Sequence, residues 1–220
     1  MLNLFSIFDP STYWFSLNWL SVVLILLFIP QIYWLNSCRY IYMFMVLMKM
    51  LFNEFKIILN SNFNISNCLY FMSLFIFIML NNFMGLFPYV FTGSAHMVFA
   101  ILFSLSMWIS LMFFGWFLNT KFMLIHLVPM GTPFFLMFFM VLIESLSNFI
   151  RPLTLGVRLV ANMVAGHLLL TLLSMFIMPF PLYFIMLILQ IMLLILEISV
   201  SLIQSYVYVI LMILYLKETN

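Results

Sequence analysis

From Gly131 to Leu216 the chain is overwhelmingly apolar with one break, Pro179-Phe180-Pro181. The break leaves about 46 residues before it and about 35 after, roughly 69 Å and 52 Å of continuous helix. A bilayer's hydrocarbon core is about 30 Å thick and takes about 20 residues of upright helix. Neither stretch can stand upright in such a core, so each must tilt strongly or lie partly in the membrane plane. The prolines between them make the two stretches, 132–178 and 182–216, the arms of one hairpin. Pro152 and Gly156 are expected to bend the first arm. Composition removes the soluble alternative. Hydrophobic residues make up 68% of the chain and charged residues 5%, against about 25% charged in a typical soluble domain. A mean hydropathy of +1.30 agrees. The fold class is therefore an all-α integral membrane protein, read as a single membrane domain over residues 1–220.

Upstream, the same ruler marks three upright spans, at 13–35, 68–89 and 96–118. Between the first two lies 39–60, where Lys49, Asn53, Lys56 and Asn60 recur on one helix face. That polar stripe on an apolar helix suits the membrane surface, although Glu54 sits off it. Arg39, Lys49 and Lys56 follow the first span and Lys121 follows the third, so parity puts all four on one side. Basic loops mark the inside, and the N-terminus is then outside. The N-terminal residues lack both the basic region of a secretory signal and the Arg-rich pattern of a transit peptide. The chain is expected to insert through its own first span or to be made where it is used. The 21 Met and 28 Phe suggest an AT-rich organellar gene.

A net charge of +2 leaves no basic patch for nucleic acid. Two cysteines, Cys38 and Cys68, build neither a disulfide framework nor a usual zinc site, and neither a metal nor a cofactor is expected.

Glu144, Arg151, Arg158, His167 and Glu197 all fall inside the two long apolar arms. Each costs about 2.5–3.5 kcal/mol at bilayer depth on insertion scales, so such a group inside an arm is a functional candidate. At 100° per residue, Glu144, Arg151, Arg158 and Asn162 stay within about 40° of one line. Gln190, Glu197, Ser201, Gln204 and Tyr208 form a similar stripe on the second arm. Folding the hairpin near residue 180 brings Arg158 level with Gln204, His167 within about 6 Å axially of Glu197, and Glu144 level with Lys217. The arm enters from the inside, so His167 and Glu197 lie outermost, Arg158 deeper, and Glu144 toward the inner surface. Titratable groups thus flank a cation that cannot give up its proton, as a proton path interrupted in the middle requires.

The run Glu144-Ser-Leu-Ser-Asn148-Phe-Ile-Arg151-Pro-Leu-Thr-Leu-Gly156-Val-Arg158-Leu-Val-Ala-Asn162-Met-Val-Ala-Gly166-His167 closely resembles subunit a of the F-type ATP synthase. So do Leu196-Glu197-Ile-Ser-Val-Ser-Leu-Ile-Gln204-Ser-Tyr206-Val-Tyr208 and, upstream, Asn82-Phe-Met-Gly85-Leu-Phe-Pro88-Tyr. Gly166-His167, rather than Gly-Glu, is similar to the mitochondrial form. The resemblance implies a proton-translocating stator subunit with no chemistry of its own. It would lie in the mitochondrial inner membrane beside a ring of c subunits, the peripheral stalk and other Fo subunits, with the N-terminus in the intermembrane space and the C-terminus toward the matrix.

On that resemblance Arg158 is the essential arginine, with a buried ion pair to Glu144 or Glu197 as the purely structural alternative. Glu197 and His167 would relay protons in the outer half-channel, or merely hydrogen-bond the arms together. Glu144 would serve the inner half-channel, or pair with Lys217 to pin the C-terminus. Gln204 would position Arg158 or act as hairpin glue. Asn162, Ser201 and Tyr208 are channel-lining candidates, and Arg151 is a positioning or hydration residue near the inner channel. His96 and His126 fit membrane interfaces. Three rival classes fit less well. A haem protein needs paired histidines, and His96, His126 and His167 show no such pairing. An ion-coupled carrier would show an inverted repeat of broken helices, and none is visible. An assembly subunit without transport predicts that Arg158 is dispensable for coupled synthesis.

Overall fold

A computed structural model describes the chain except residues 1–3, 14, 60–64, 88, 129–130, 176–182 and 220. The described residues form helices α1 Leu20–Leu24, α2 Arg39–Leu59, α3 Ile65–Gly85, α4 Met97–Leu118, α5 Thr120–His126, α6 Phe134–Met175 and α7 Tyr183–Thr219, with no strand among them. Four of these, α3, α4, α6 and α7, are long and apolar enough to cross a membrane. The Pro179–Pro181 turn lies outside the described residues.

The first expected span comes out differently. Among the described residues of 13–35 only Leu17–Phe28 is helical, α1 with a 3-10 turn on either side. At about 2.0 Å per residue in the 3-10 turns and 1.5 Å in α1, that is about 21 Å of helix, short of the roughly 30 Å core. Pro30 supplies the reason. A proline disfavours helical geometry in the residue before it, and Ile29 is extended, at φ −72° and ψ 121°. The remaining boundaries fall within a few residues of expectation.

α2 keeps Lys49, Asn53 and Lys56 exposed while burying Phe55 and Leu59 against α3 and α7. Glu54, which sat off the stripe, accepts a hydrogen bond from the Tyr206 hydroxyl of α7 at 3.1 Å. The apolar core joins Cys68, Phe71, Phe75 and Ile78 of α3 to Val209, Met212 and Ile213 of α7.

α6 is 42 residues long and runs unbroken through Pro152. That proline has no N–H to offer the Asn148 carbonyl one turn back. Its buried residues are Pro152, Leu155, Gly156, Leu159 and Met163, one helical face that packs on α4. A Cβ on Gly156 would sit 2.8 Å from Ser104 Oγ and 3.4 Å from the Ala100 carbonyl oxygen, so a larger residue there would force the buried Ser104 hydroxyl to move. α7, 37 residues long, runs antiparallel to α6 and is held by α2, α3, α4 and α6.

Candidate functional site

The two polar stripes meet where α6 crosses α7. Gln204 is buried, and its Nε2 donates to the backbone carbonyl of Arg158 at 3.1 Å. The pair is therefore level, as hairpin arithmetic requires. The contact is to the main chain of Arg158 and leaves its guanidinium free of Gln204.

Arg158 itself is exposed on α6. Among the described residues its side chain makes no ion pair. The two carboxylates the sequence offered it are both elsewhere: Glu144 pairs with Arg151, and Glu197 is buried without a partner. Arg158 lines a groove of about 290 Å³ with Asn162, Gln204, Tyr208 and the apolar side chains of Leu155, Leu159, Val200, Ile203 and Val207. A second cavity, about 320 Å³, opens toward Glu197 and Gly166 and shares Asn162, Val200 and Gln204 with the first. Asn162 therefore faces both.

Glu197 sits directly on the α6 backbone. A Cβ on Gly166 would lie 2.9 Å from the carboxyl carbon of Glu197 and 3.0 Å from Oε1. A side chain at 166 would push the carboxyl back from this position. The carboxyl end of Glu197 thus reaches the residue next to His167. Neither Glu197 oxygen has a hydrogen-bond partner, and neither does Nε2 of His167, so the two side chains do not bond directly. The imidazole lies beside the Gly85 backbone, with the Phe8 ring edge-on at 6.1 Å. Ser201 turns its hydroxyl back to the Ile198 carbonyl at 2.8 Å. The Tyr208 hydroxyl and Gln204 Oε1 are buried and unpaired.

A third cluster, at the C-terminal end of α7, is separate. Arg151 Nη2 lies 3.6 Å from Glu144 Oε1 and Nη1 lies 3.1 Å from Glu218 Oε2. Glu144 is thus paired with Arg151 on its own helix rather than with Lys217, and the α7 residue that comes in is Glu218. Sequence reasoning missed Glu218. Its signal was an acidic side chain in the last turn of a helix, where the dipole disfavours it unless a cation stands nearby. Also missed was a group at the α3–α4 junction: Asn82, Thr92 and Ser94 are buried, and their side-chain polar atoms, with Nε2 of His96, are unpaired. Trp19 and Phe91 pack on the His96 ring at 5.0 and 5.2 Å. Among the described residues no group of three His, Cys, Asp or Glu side chains could hold a metal.

Residues 15–217 match the family described as ATP synthase A chain. Proteins named ATP synthase subunit a align over the whole chain: the Drosophila melanogaster protein at 51% identity over 223 residues, covering 100% of both, and the Aedes aegypti protein at 50% over 225, covering 100% of both. The Locusta migratoria protein aligns at 51% over 222 residues, covering 99% of both.

Proposed function

Because the chain belongs to the ATP synthase A chain family, we propose that it is the proton-conducting stator subunit of the Fo sector, with two offset aqueous half-channels separated by Arg158. One observation carries this reading. A guanidinium without an ion-pair partner among the described residues stands on the open side of α6, in the groove between the two arms.

A guanidinium so placed suits a carboxylate delivered from outside the subunit. A mid-membrane carboxyl on a passing ring subunit prefers its neutral form in lipid, and a cation a few ångströms away favours the ionised one. Its proton is released as it comes up to Arg158. The proton cannot hop across, because a guanidinium has five N–H donors and no acceptor. Each proton crossing 100 mV supplies about 2.3 kcal/mol, and a direct leak would dissipate that as heat. Protons must instead travel with the ring.

Glu197 and His167 serve the outer half-channel. Buried unpaired polar atoms cost about 1–3 kcal/mol each, and the cavity beside Glu197 is roomy enough for several waters that would satisfy them. Imidazole, which can both accept and donate a proton, then hands protons to the carboxyl. Glu144 takes the inner half-channel, with Asn162, Gln204, Ser201 and Tyr208 lining the approach to Arg158. The ring of c subunits and the other Fo subunits are the partners this role requires. The location is the mitochondrial inner membrane, with the N-terminus on the intermembrane-space side and the C-terminus toward the matrix. Contacts of the N-terminal segment support that orientation. Phe8 touches His167 and Trp19 touches His96, both at the end away from Lys121.

The test is Arg158→Ala in the assembled synthase. Proton-driven ATP synthesis is expected to vanish with assembly intact, and retained coupled synthesis would refute the assignment. Glu197→Gln and His167→Leu should each slow proton conduction, and unchanged conduction in both removes the outer-channel role.

A further inference from the structure

We propose that Arg151 is the positioning residue of the inner half-channel, holding the Glu144 carboxylate in place by a two-sided guanidinium bridge to Glu218 at the end of α7. The inference rests on the reading of Glu144 as the inner carboxylate.

The geometry is specific to arginine. Glu144 and Arg151 are seven residues apart on α6, two helical turns, so their side chains must extend toward each other to come within 3.6 Å. The opposite nitrogen of the same guanidinium holds Glu218 at 3.1 Å. The guanidinium carbon lies over the Tyr215 ring, 5.7 Å from its centroid, a cation–π contact that helps hold the fork in place. A planar fork reaches two carboxylates on two helices and stacks at once; an ammonium offers one point of charge.

Three features argue against a bridge that exists for stability. The side chains of Glu144, Arg151 and Glu218 are about 35–50% exposed, and exposed pairs stabilise little. Glu218 sits at the helix end where the dipole opposes an anion. The hairpin arms are already joined farther along by Gln204 and the Arg158 carbonyl. What the bridge does provide is direction. It ties Glu144, on the open-faced arm, to the last turn of α7, whose Leu216 and Thr219 are buried. The C-terminal turn thereby becomes part of the inner path's scaffold.

The experiment measures proton conduction through Fo in assembled synthase, normalised to the amount of subunit incorporated. Arg151→Gln and Glu218→Gln are each expected to lower conduction about two- to fivefold. The double variant should be no slower than the worse single one, because both remove the same bridge. Arg151→Lys should conduct better than Arg151→Gln; equal rates would leave only side-chain packing as the cause and overturn the proposal. Wild-type conduction in Arg151→Gln, or single effects that multiply in the double variant, would also overturn it. If Arg151→Gln fails to assemble, Glu218→Gln against Glu218→Asp asks the same question from the other side of the bridge, with loss in the first and partial retention in the second expected. Glu144→Gln separates the two levels. A slow Glu144→Gln with a normal Arg151→Gln defeats this inference alone, whereas a normal Glu144→Gln defeats the inner-channel assignment beneath it.

Discussion

The two arms of the hairpin carry polar stripes of nearly the same design and put them to opposite use. On α7 the stripe is the buried face, with Glu197, Ser201, Gln204 and Tyr208 all within the protein. On α6 the stripe lies about 100° around the helix from the residues that pack on α4, and Arg158 and Asn162 remain exposed. The surroundings account for the difference. α7 is embraced by α2, α3, α4 and α6, whereas α6 packs chiefly on α4. A buried stripe forces its polar atoms to find partners or water. An exposed stripe on an apolar helix presents its charge to whatever comes alongside. One inward and one outward stripe are what the proposed delivery of protons to a passing ring subunit requires.

The sharpest way to break this comparison is to alter the outward charge while keeping its sign. In Arg158→Lys the ammonium can lose its proton when desolvated. Coupled ATP synthesis is expected to fall to near zero and passive proton permeability to rise in vesicles carrying the synthase. A lysine variant that remains fully coupled would deny the barrier. Next in size is the close approach at the inward stripe. Gly166→Ala places a methyl carbon 2.9 Å from the Glu197 carboxyl carbon, and overpacking of this kind costs about 1–3 kcal/mol. Conduction should drop by about tenfold, read as proton flux per assembled complex; an unchanged flux would show that the carboxyl does not need this depth. Gln204→Leu removes one hydrogen bond to the Arg158 carbonyl, worth about 1 kcal/mol, and should lower synthesis several-fold without opening a leak. Smallest of all is Tyr206→Phe. It deletes only the contact to Glu54, an exposed pairing of little energy, and synthesis rate and thermal stability of the complex should stay within error of wild type. A large effect there would mean that α2 takes part in the pathway.

Much of this arrangement was legible in the residues. Hydropathy marked α3, α4, α6 and α7, and the 100° repeat grouped Glu144, Arg151, Arg158 and Asn162 on one line and Glu197, Ser201, Gln204 and Tyr208 on another. Counting from the proline break set Arg158 level with Gln204, since rise per residue is nearly constant in a helix. The same count misplaced the inner end. It aligned Glu144 with Lys217, whereas Arg151 gathers Glu144 and Glu218. Side chains of five or six bonds reach across several residues of rise, and which one arrives depends on how the helices cross. Within 13–35 the helix stops at Phe28, because apolar length alone does not register the proline at position 30.

Periodicity determines which residues share a face of a helix, and composition determines that such faces must live in a membrane; both follow from local geometry and transfer energy, and both are written in the chain. What lies opposite each face is set by contacts between residues far apart in sequence. Only the tertiary structure therefore decided that the α7 stripe is enclosed and the α6 stripe left open, that Glu197 rests on Gly166, and that Glu218 joins Arg151.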